Sequence, residues 1–207
     1  MPVILRCFSL ILLLALLLQM GCEKTPALRP LAADAVVLAF GDSLTYGTGA
    51  PAGASYPDVL AATLGHKVVN AGIPGEISET GLARLPEVLD AVQPQLVILC
   101  HGGNDFLQQR SSQQVAANLR AMVDLCRAAG AEVILIAVPQ FGLMAKTHPL
   151  YAEVAQEKGV PCANEILHDL LTDPALKSDP IHPNAAGYRQ LAQAVAQLYM
   201  QASGDRR

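Results

Sequence analysis

Two short runs constrain the fold more than any other feature of the chain. Residues 95–100 (Gln95-Leu96-Val97-Ile98-Leu99-Cys100) and 132–138 (Glu132-Val133-Ile134-Leu135-Ile136-Ala137-Val138) are apolar without alternation after their first residue. A strand with one wet face alternates apolar and polar residues, whereas one covered on both faces does not. Residues 35–40 (Ala35-Val36-Val37-Leu38-Ala39-Phe40) read the same way and stop at Gly41. Weaker candidates lie at 67–71 and 160–163. Between these runs the period changes to that of a helix. In 112–129, Val115, Leu119, Met122, Leu125 and Cys126 recur every three or four residues, and Gly130 is a natural stop. Helices are also predicted over 57–64, 78–92 with Ser78 as N-cap, 150–158, and 184–200 with Leu191, Val195 and Leu198 on one face. Alternating strands and helices with fully apolar strands predict an α/β fold, a mostly parallel sheet covered on both sides. Ligands then bind at the carboxyl ends of the strands.

Composition narrows the function. The net charge is -4 with no Lys/Arg cluster, which excludes a phosphate-tracking nucleic-acid partner. Aromatic residues are 4% and Trp is absent, which disfavours a stacking platform. Five Cys in 207 residues are too few for a disulfide scaffold.

The first residues read as an address. Arg6 precedes an almost wholly apolar run over 7–18, shorter than the roughly 20 residues that span a bilayer and close to a signal-peptide core. The run ends in Gln19-Met20-Gly21-Cys22, which resembles a bacterial lipoprotein box with Cys22 as the lipidated residue. The expected organisation is a lipoprotein-type signal peptide at 1–21, a tether at 22–34 carrying Pro26 and Pro30, and one folded domain at 35–207. The mature chain is expected to be exported to the periplasm and held to a membrane by that anchor. Soluble export and an uncleaved anchor are the alternatives, and oligomeric state stays open.

Chemistry is sought in the loops after the strands. Ser43, in Gly41-Asp42-Ser43-Leu44, follows the first strand on a turn that can expose its hydroxyl. A nucleophilic serine needs that exposure and a base; a serine there can equally cap a helical turn. His182 suits the base, since imidazole exchanges protons near neutral pH. Asp179, three residues earlier on a turn stiffened by Pro180 and Pro183, can reach that imidazole. Asp179 and His182 can equally be a solvated capping cluster. Asn104, in His101-Gly102-Gly103-Asn104-Asp105, offers an amide donor, and Gly75 an unobstructed backbone N–H. A nucleophile, a base with its orienter and two donor loops form a complete acyl-transfer set.

Cys100, Cys126 and Cys162 read as packing residues, their pairing undetermined. His66, His148 and His168 read as surface residues, and Phe106 with Leu107 as groove or core. His101, Asp105, Asp179 and His182 offer a metal-ligand reading for a phosphoesterase, but lack a tight ligand-spacing motif.

Taken in order, Gly41-Asp42-Ser43-Leu44, the Gly75 loop, Gly103-Asn104-Asp105 and Asp179-x-x-His182 resemble the four blocks of the SGNH (GDSL) hydrolase superfamily. Residues 70–86 are most similar to its bacterial thioesterase I / protease I / lysophospholipase branch and the neighbouring arylesterases. The resemblance implies a flavodoxin-like three-layer α/β/α sandwich with a sheet of about five strands. It implies catalytic Ser43, Asp179 and His182, an oxyanion hole from the Ser43 and Gly75 N–H groups and the Asn104 side chain, a structural Asp42, and no metal or other cofactor. The expected activity is serine hydrolysis of carboxylic esters or thioesters of small or single-chain acyl substrates. A carbohydrate O-deacetylase, or a non-catalytic acyl- or glycan-binding lipoprotein, is the competing reading. Residues 141–151 differ from that branch and are expected to border the acyl pocket.

Overall fold

The computed structural model describes residues 27–140 and 146–205. The expected signal peptide, Cys22, the first part of the expected tether and residues 141–145 lie outside the described residues.

Five strands form one parallel sheet: β1 (Val36–Gly41), β2 (Lys67–Gly72), β3 (Leu96–Cys100), β4 (Glu132–Ile136) and β7 (Cys162–Ala163). Their spatial order is β2-β1-β3-β4-β7. The interior strands β1, β3 and β4 are buried almost throughout, as unbroken apolar runs require. The two edges carry the weak sequence signals for a physical reason. β2 has a partner on one side only and is partly exposed, and β7 spans two residues.

Helices cover both faces. On one, α2 (Tyr56–Leu64) packs against α8 (Ala185–Ser203). On the other lie α3 (Ser78–Val92), α5 (Ser112–Ala128) and α6 (Leu150–Lys158). The result is the expected three-layer sandwich. Among the described residues no helix is long and apolar enough to cross a membrane.

Several boundaries differ from expectation. Ser78 is the first residue of α3 and not its cap. Its N–H is satisfied from a distance by the buried Asp105 carboxylate, at 2.8 Å. Asn184 caps α8, accepting from Ala186 and Gly187 N–H. A seven-residue helix α7 (Ile166–Thr172), the short α1 (Ser43–Tyr46) and α4 (Gly103–Leu107), and a two-residue hairpin pair β5 (Pro139–Gln140) and β6 (Lys146–Thr147) were not anticipated; elements this short carry too little periodicity to read.

The expected tether is docked from Leu28 onward. Leu28 and Leu31 join the core. Leu28 N–H donates to Ala202 O at 3.0 Å, and Leu31 N–H to the Tyr199 hydroxyl at 2.8 Å. Arg29 pairs with Glu132 at the start of β4. The two apolar side chains and the closing helix therefore hold a stretch whose prolines suggested a free linker.

The chain returns from β2, at one edge, across β1 to β3. The order of the sheet reverses between β1 and β3, so the loops following them splay apart and leave a crevice at their carboxyl ends.

Candidate active site

The crevice is built on a crowded turn. β1 ends at Gly41, where any Cβ would collide with Cys100 O and the Thr45 hydroxyl. The chain turns directly into α1, capped by Asp42, whose Oδ1 accepts from Leu44 N–H at 3.0 Å. Ser43 thereby sits at the first position of a helical turn, partly exposed at the sheet edge.

His182 arrives from the other end of the chain. Asp179 folds the preceding loop on itself: its Oδ1 accepts from Ile181 N–H at 2.8 Å and His182 N–H at 2.9 Å. Its other oxygen lies 2.8 Å from His182 Nδ1. His182 Nε2 lies 3.0 Å from Ser43 Oγ. Burial pushes the Asp179 carboxyl up, but the hydrogen bonds from the His182 ring and the Ile181 N–H, with the imidazole's charge, outweigh it and hold the group below its ordinary value. An ionised carboxylate only accepts, so the proton of the neutral ring resides on Nδ1. Nε2 is left with a lone pair facing the serine hydroxyl. The solvated-cluster reading of Asp179 and His182 does not hold for this geometry.

The donor loops lie opposite. Ile73-Pro74-Gly75-Glu76 is a turn closed by Glu76 N–H to Ile73 O at 3.2 Å. Gly75 has φ +82°, which glycine adopts freely after proline in such a turn. The turn's own bond uses the Glu76 N–H, not that of Gly75. Asn104, in α4, donates from Nδ2 to Glu76 O at 3.0 Å and more distantly to Asp42 Oδ2 at 3.3 Å. Asp42 is buried, which pushes its carboxyl up against the opposing pull of the nearby His101 and the Leu44 N–H. Its oxygens are spent on Leu44 and Asn104, in keeping with a structural role.

Beneath the donors lies a buried charge network that was not read from the sequence. Glu76 receives Arg84 bidentately, Nε and Nη2 each at 2.7 Å, and His101 Nε2 at 3.1 Å. Arg84 also donates to Ala71 O at 2.8 Å and stacks over Phe40, 4.0 Å from the ring centroid. The pair spans eight positions across a turn and a helix, so no i,i+4 signal marks it. The one cue was a charged residue directly after Gly75.

The remaining candidates fall as follows. Cys100 and Cys126 are buried, and Cys162 is half-buried; none of the three is in a disulfide. Burial pushes the Cys126 and Cys162 thiols up to about 12 and Cys100 well up. His101 and Asp105 bond to Glu76 and Ser78 and do not gather with the other proposed metal ligands. No metal-binding cluster of His, Cys, Asp or Glu occurs among the described residues. His66 is buried rather than exposed, and His148 and His168 are half-buried, the former stacked on Phe106. Sequence position gave no hint of that burial. Leu107 lines the depression beside Ser43 with Ile181.

Residues 39–190 match the GDSL-like lipase/acylhydrolase family. An arylesterase of Vibrio mimicus is 31% identical over 172 residues, covering 78% of this chain and 86% of the relative. Thioesterase 1/protease 1/lysophospholipase L1 of Escherichia coli K12 is 34% identical over 164 residues, covering 75% and 78%. The crystal structure of TesA superposes with a TM-score of 0.71 at 28% identity, covering 79% of this chain and 97% of that one.

The Glu76 carboxyl is raised by burial but lowered further by His101 and Arg84, and its net position is below the ordinary value. Such a group contributes stability that is full above its unfolded pKa, about 4.3, and lost as pH falls through the folded value. Urea denaturation at a series of pH values should show wild type more stable than Glu76→Gln at neutral pH, with the gap closing in acid below about pH 4.

Proposed function

This chain belongs to the GDSL-like lipase/acylhydrolase family and is a carboxylic ester hydrolase, and on that footing we propose that it works through a Ser43–His182–Asp179 acyl-enzyme mechanism on esters or thioesters of small or single-chain acyl groups. The observation that carries this reading is the continuous contact from Ser43 Oγ to His182 Nε2 at 3.0 Å and from Nδ1 to Asp179 at 2.8 Å.

His182 takes the hydroxyl proton as Ser43 attacks the carbonyl carbon. The new C–O bond converts the carbonyl to an oxyanion, which the Ser43 and Gly75 N–H groups and the Asn104 amide receive. Both Asn104 amide protons are engaged, with Glu76 O and Asp42 Oδ2, and the longer bond to Asp42 is the one exchanged for the oxyanion. The imidazolium, steadied by Asp179, then protonates the leaving alcohol or thiol as the carbonyl reforms. Water attacks the acyl-enzyme by the same sequence and releases the acid.

The substrate class is supported by the rim. Among the described residues Tyr46, Ile73 and Leu107 are the exposed large hydrophobics. Tyr46 ends the helix that Ser43 begins, Ile73 opens the Gly75 turn, and Leu107 lines the depression beside Ser43. The exposed Leu107 and its neighbour Ile181, lining the depression beside Ser43, with Tyr46 and Ile73 on the elements that flank it, suit an acyl chain or aryl group lying across an open surface. The relatives' names, arylesterase and thioesterase/lysophospholipase, span both.

Export and lipid anchoring through Cys22 form part of the same proposal, resting on the apolar run and the Gly21-Cys22 junction. Metabolic labelling with palmitate in a bacterial host should mark the chain and fail to mark Cys22→Ala; equal labelling of both would remove the anchor.

Steady-state hydrolysis of p-nitrophenyl esters, acyl-CoAs and lysophospholipids tests the chemistry. Ser43→Ala should abolish turnover on every substrate cleaved. Asp179→Asn should lower kcat by about 10⁴ through the wrong tautomer, and Asn104→Ala by about 10²–10³. Near-wild-type turnover in Ser43→Ala would defeat the mechanism.

A further inference from the structure

We propose that Glu76 is a positioning residue for the oxyanion hole, its carboxylate clamped by Arg84 and His101 so that its own main chain aims both the Gly75 and the Asn104 donors. This rests on the reading of Gly75 and Asn104 as oxyanion donors given above.

One residue touches both donors through its backbone. The Glu76 N–H closes the turn that presents Gly75, at 3.2 Å, and the Glu76 carbonyl holds Asn104 Nδ2, at 3.0 Å. The Glu76 N–H thus closes the turn whose preceding Pro74–Gly75 peptide carries the Gly75 donor, and the Glu76 carbonyl holds the Asn104 amide, so two of the three proposed donors lean on this residue's main chain. What fixes that main chain is the side chain. It is 6% exposed and receives Arg84 through two bonds of 2.7 Å. Arg84 is itself fastened to the end of β2 through Ala71 O and to the underside of β1 through the Phe40 ring. The fully buried His101, in the loop that carries Asn104, closes the other side at 3.1 Å. The carboxylate thus ties the Gly75 loop to both strands flanking it and to the Asn104 loop.

The helix behind this contact is shaped for it. A Cβ at Gly81 of α3 would strike His101 Nε2, the atom that meets Glu76. The Tyr151 hydroxyl donates to His101 O at 2.8 Å and holds that residue from the far side. Burying an ion pair costs desolvation energy that an apolar contact would avoid, so such a pair is weak evidence of a gain in stability. A directional clamp, by contrast, defines angles that apolar packing leaves loose. Angles matter here because donors misplaced by about 1 Å can cost 10²-fold in rate.

The experiment is a double-mutant cycle on kcat with a p-nitrophenyl ester, accompanied by thermal melts. Glu76→Gln keeps the shape but turns N–H groups toward Arg84 or His101. It should lower kcat by about tenfold or more, with KM within about twofold, since donors to a transition-state charge act on turnover. In an Asn104→Ala background the same change should lower kcat by clearly less than in wild type, because only the Gly75 donor is then left for Glu76 to aim. Gly81→Ala, which displaces His101 and leaves the carboxylate in place, should show the same coupling, and serves if Glu76→Gln does not fold. A folded Glu76→Gln with wild-type kcat, or losses that multiply in full with Asn104→Ala, would overturn the proposal while leaving the oxyanion hole intact. An Asn104→Ala enzyme with unchanged kcat would overturn the hole itself and the proposal with it.

Discussion

The contact on which the proposed chemistry depends, Ser43 to His182, joins residues 139 positions apart. Neither loop can hold it alone. Ser43 is fixed by the glycine-crowded exit from β1, where the helix must start at once because Gly41 leaves no room between Cys100 and Thr45. His182 is fixed by an Asp179 that accepts from two backbone N–H groups as well as from the ring. The last helix then seats the whole loop: Asn184 caps it and reaches back to Ala175 O, while Tyr188 donates to Thr48 O just past α1. Parallel-sheet topology supplies the rest by opening a crevice where the strand order reverses.

Electrostatics at the site divides into two layers. At the surface, Asp179 is partly exposed, and its hydrogen bonds hold its carboxyl below the ordinary value beside the ring that becomes positive in the proposed mechanism. Below it, Asp42, Glu76 and His101 are buried and Arg84 is half-buried; Glu76 binds Arg84 and His101, and Asp42 binds the Leu44 N–H and the Asn104 amide. Charges in such a place are costly to desolvate and tolerable only when their partners are held in good geometry. The lower layer carries no proposed bond-making role, yet it meets the Gly75 loop at Glu76 and the Asn104 loop at His101.

Much of this was legible in the sequence where a signal is local or repeated. The buried strands declared themselves by unbroken apolar runs, and the helix predicted over 112–129 by its spacing. Ser43, Asp179, His182, Gly75 and Asn104 were placed by their positions after strands and by the family blocks, and the structure brings Ser43, Asp179 and His182 into mutual contact. What was hidden depends on long-range contacts. The cap on Ser78 comes from Asp105, a residue 27 positions away. Leu28 and Leu31 look like linker residues until the closing helix covers them. His101 looked like a possible ligand because its neighbour across the fold, Glu76, could not be assigned to it from spacing.

The central claim is that Ser43 becomes covalently bonded to substrate under the action of His182. The most direct measurement is mass spectrometry of the protein after brief exposure to a fluorophosphonate, with peptide mapping of the adduct. A single phosphonyl group on Ser43, formed at a rate that collapses in His182→Ala, is the expected result. An adduct elsewhere, or labelling of Ser43 at an undiminished rate without the imidazole, would contradict the account.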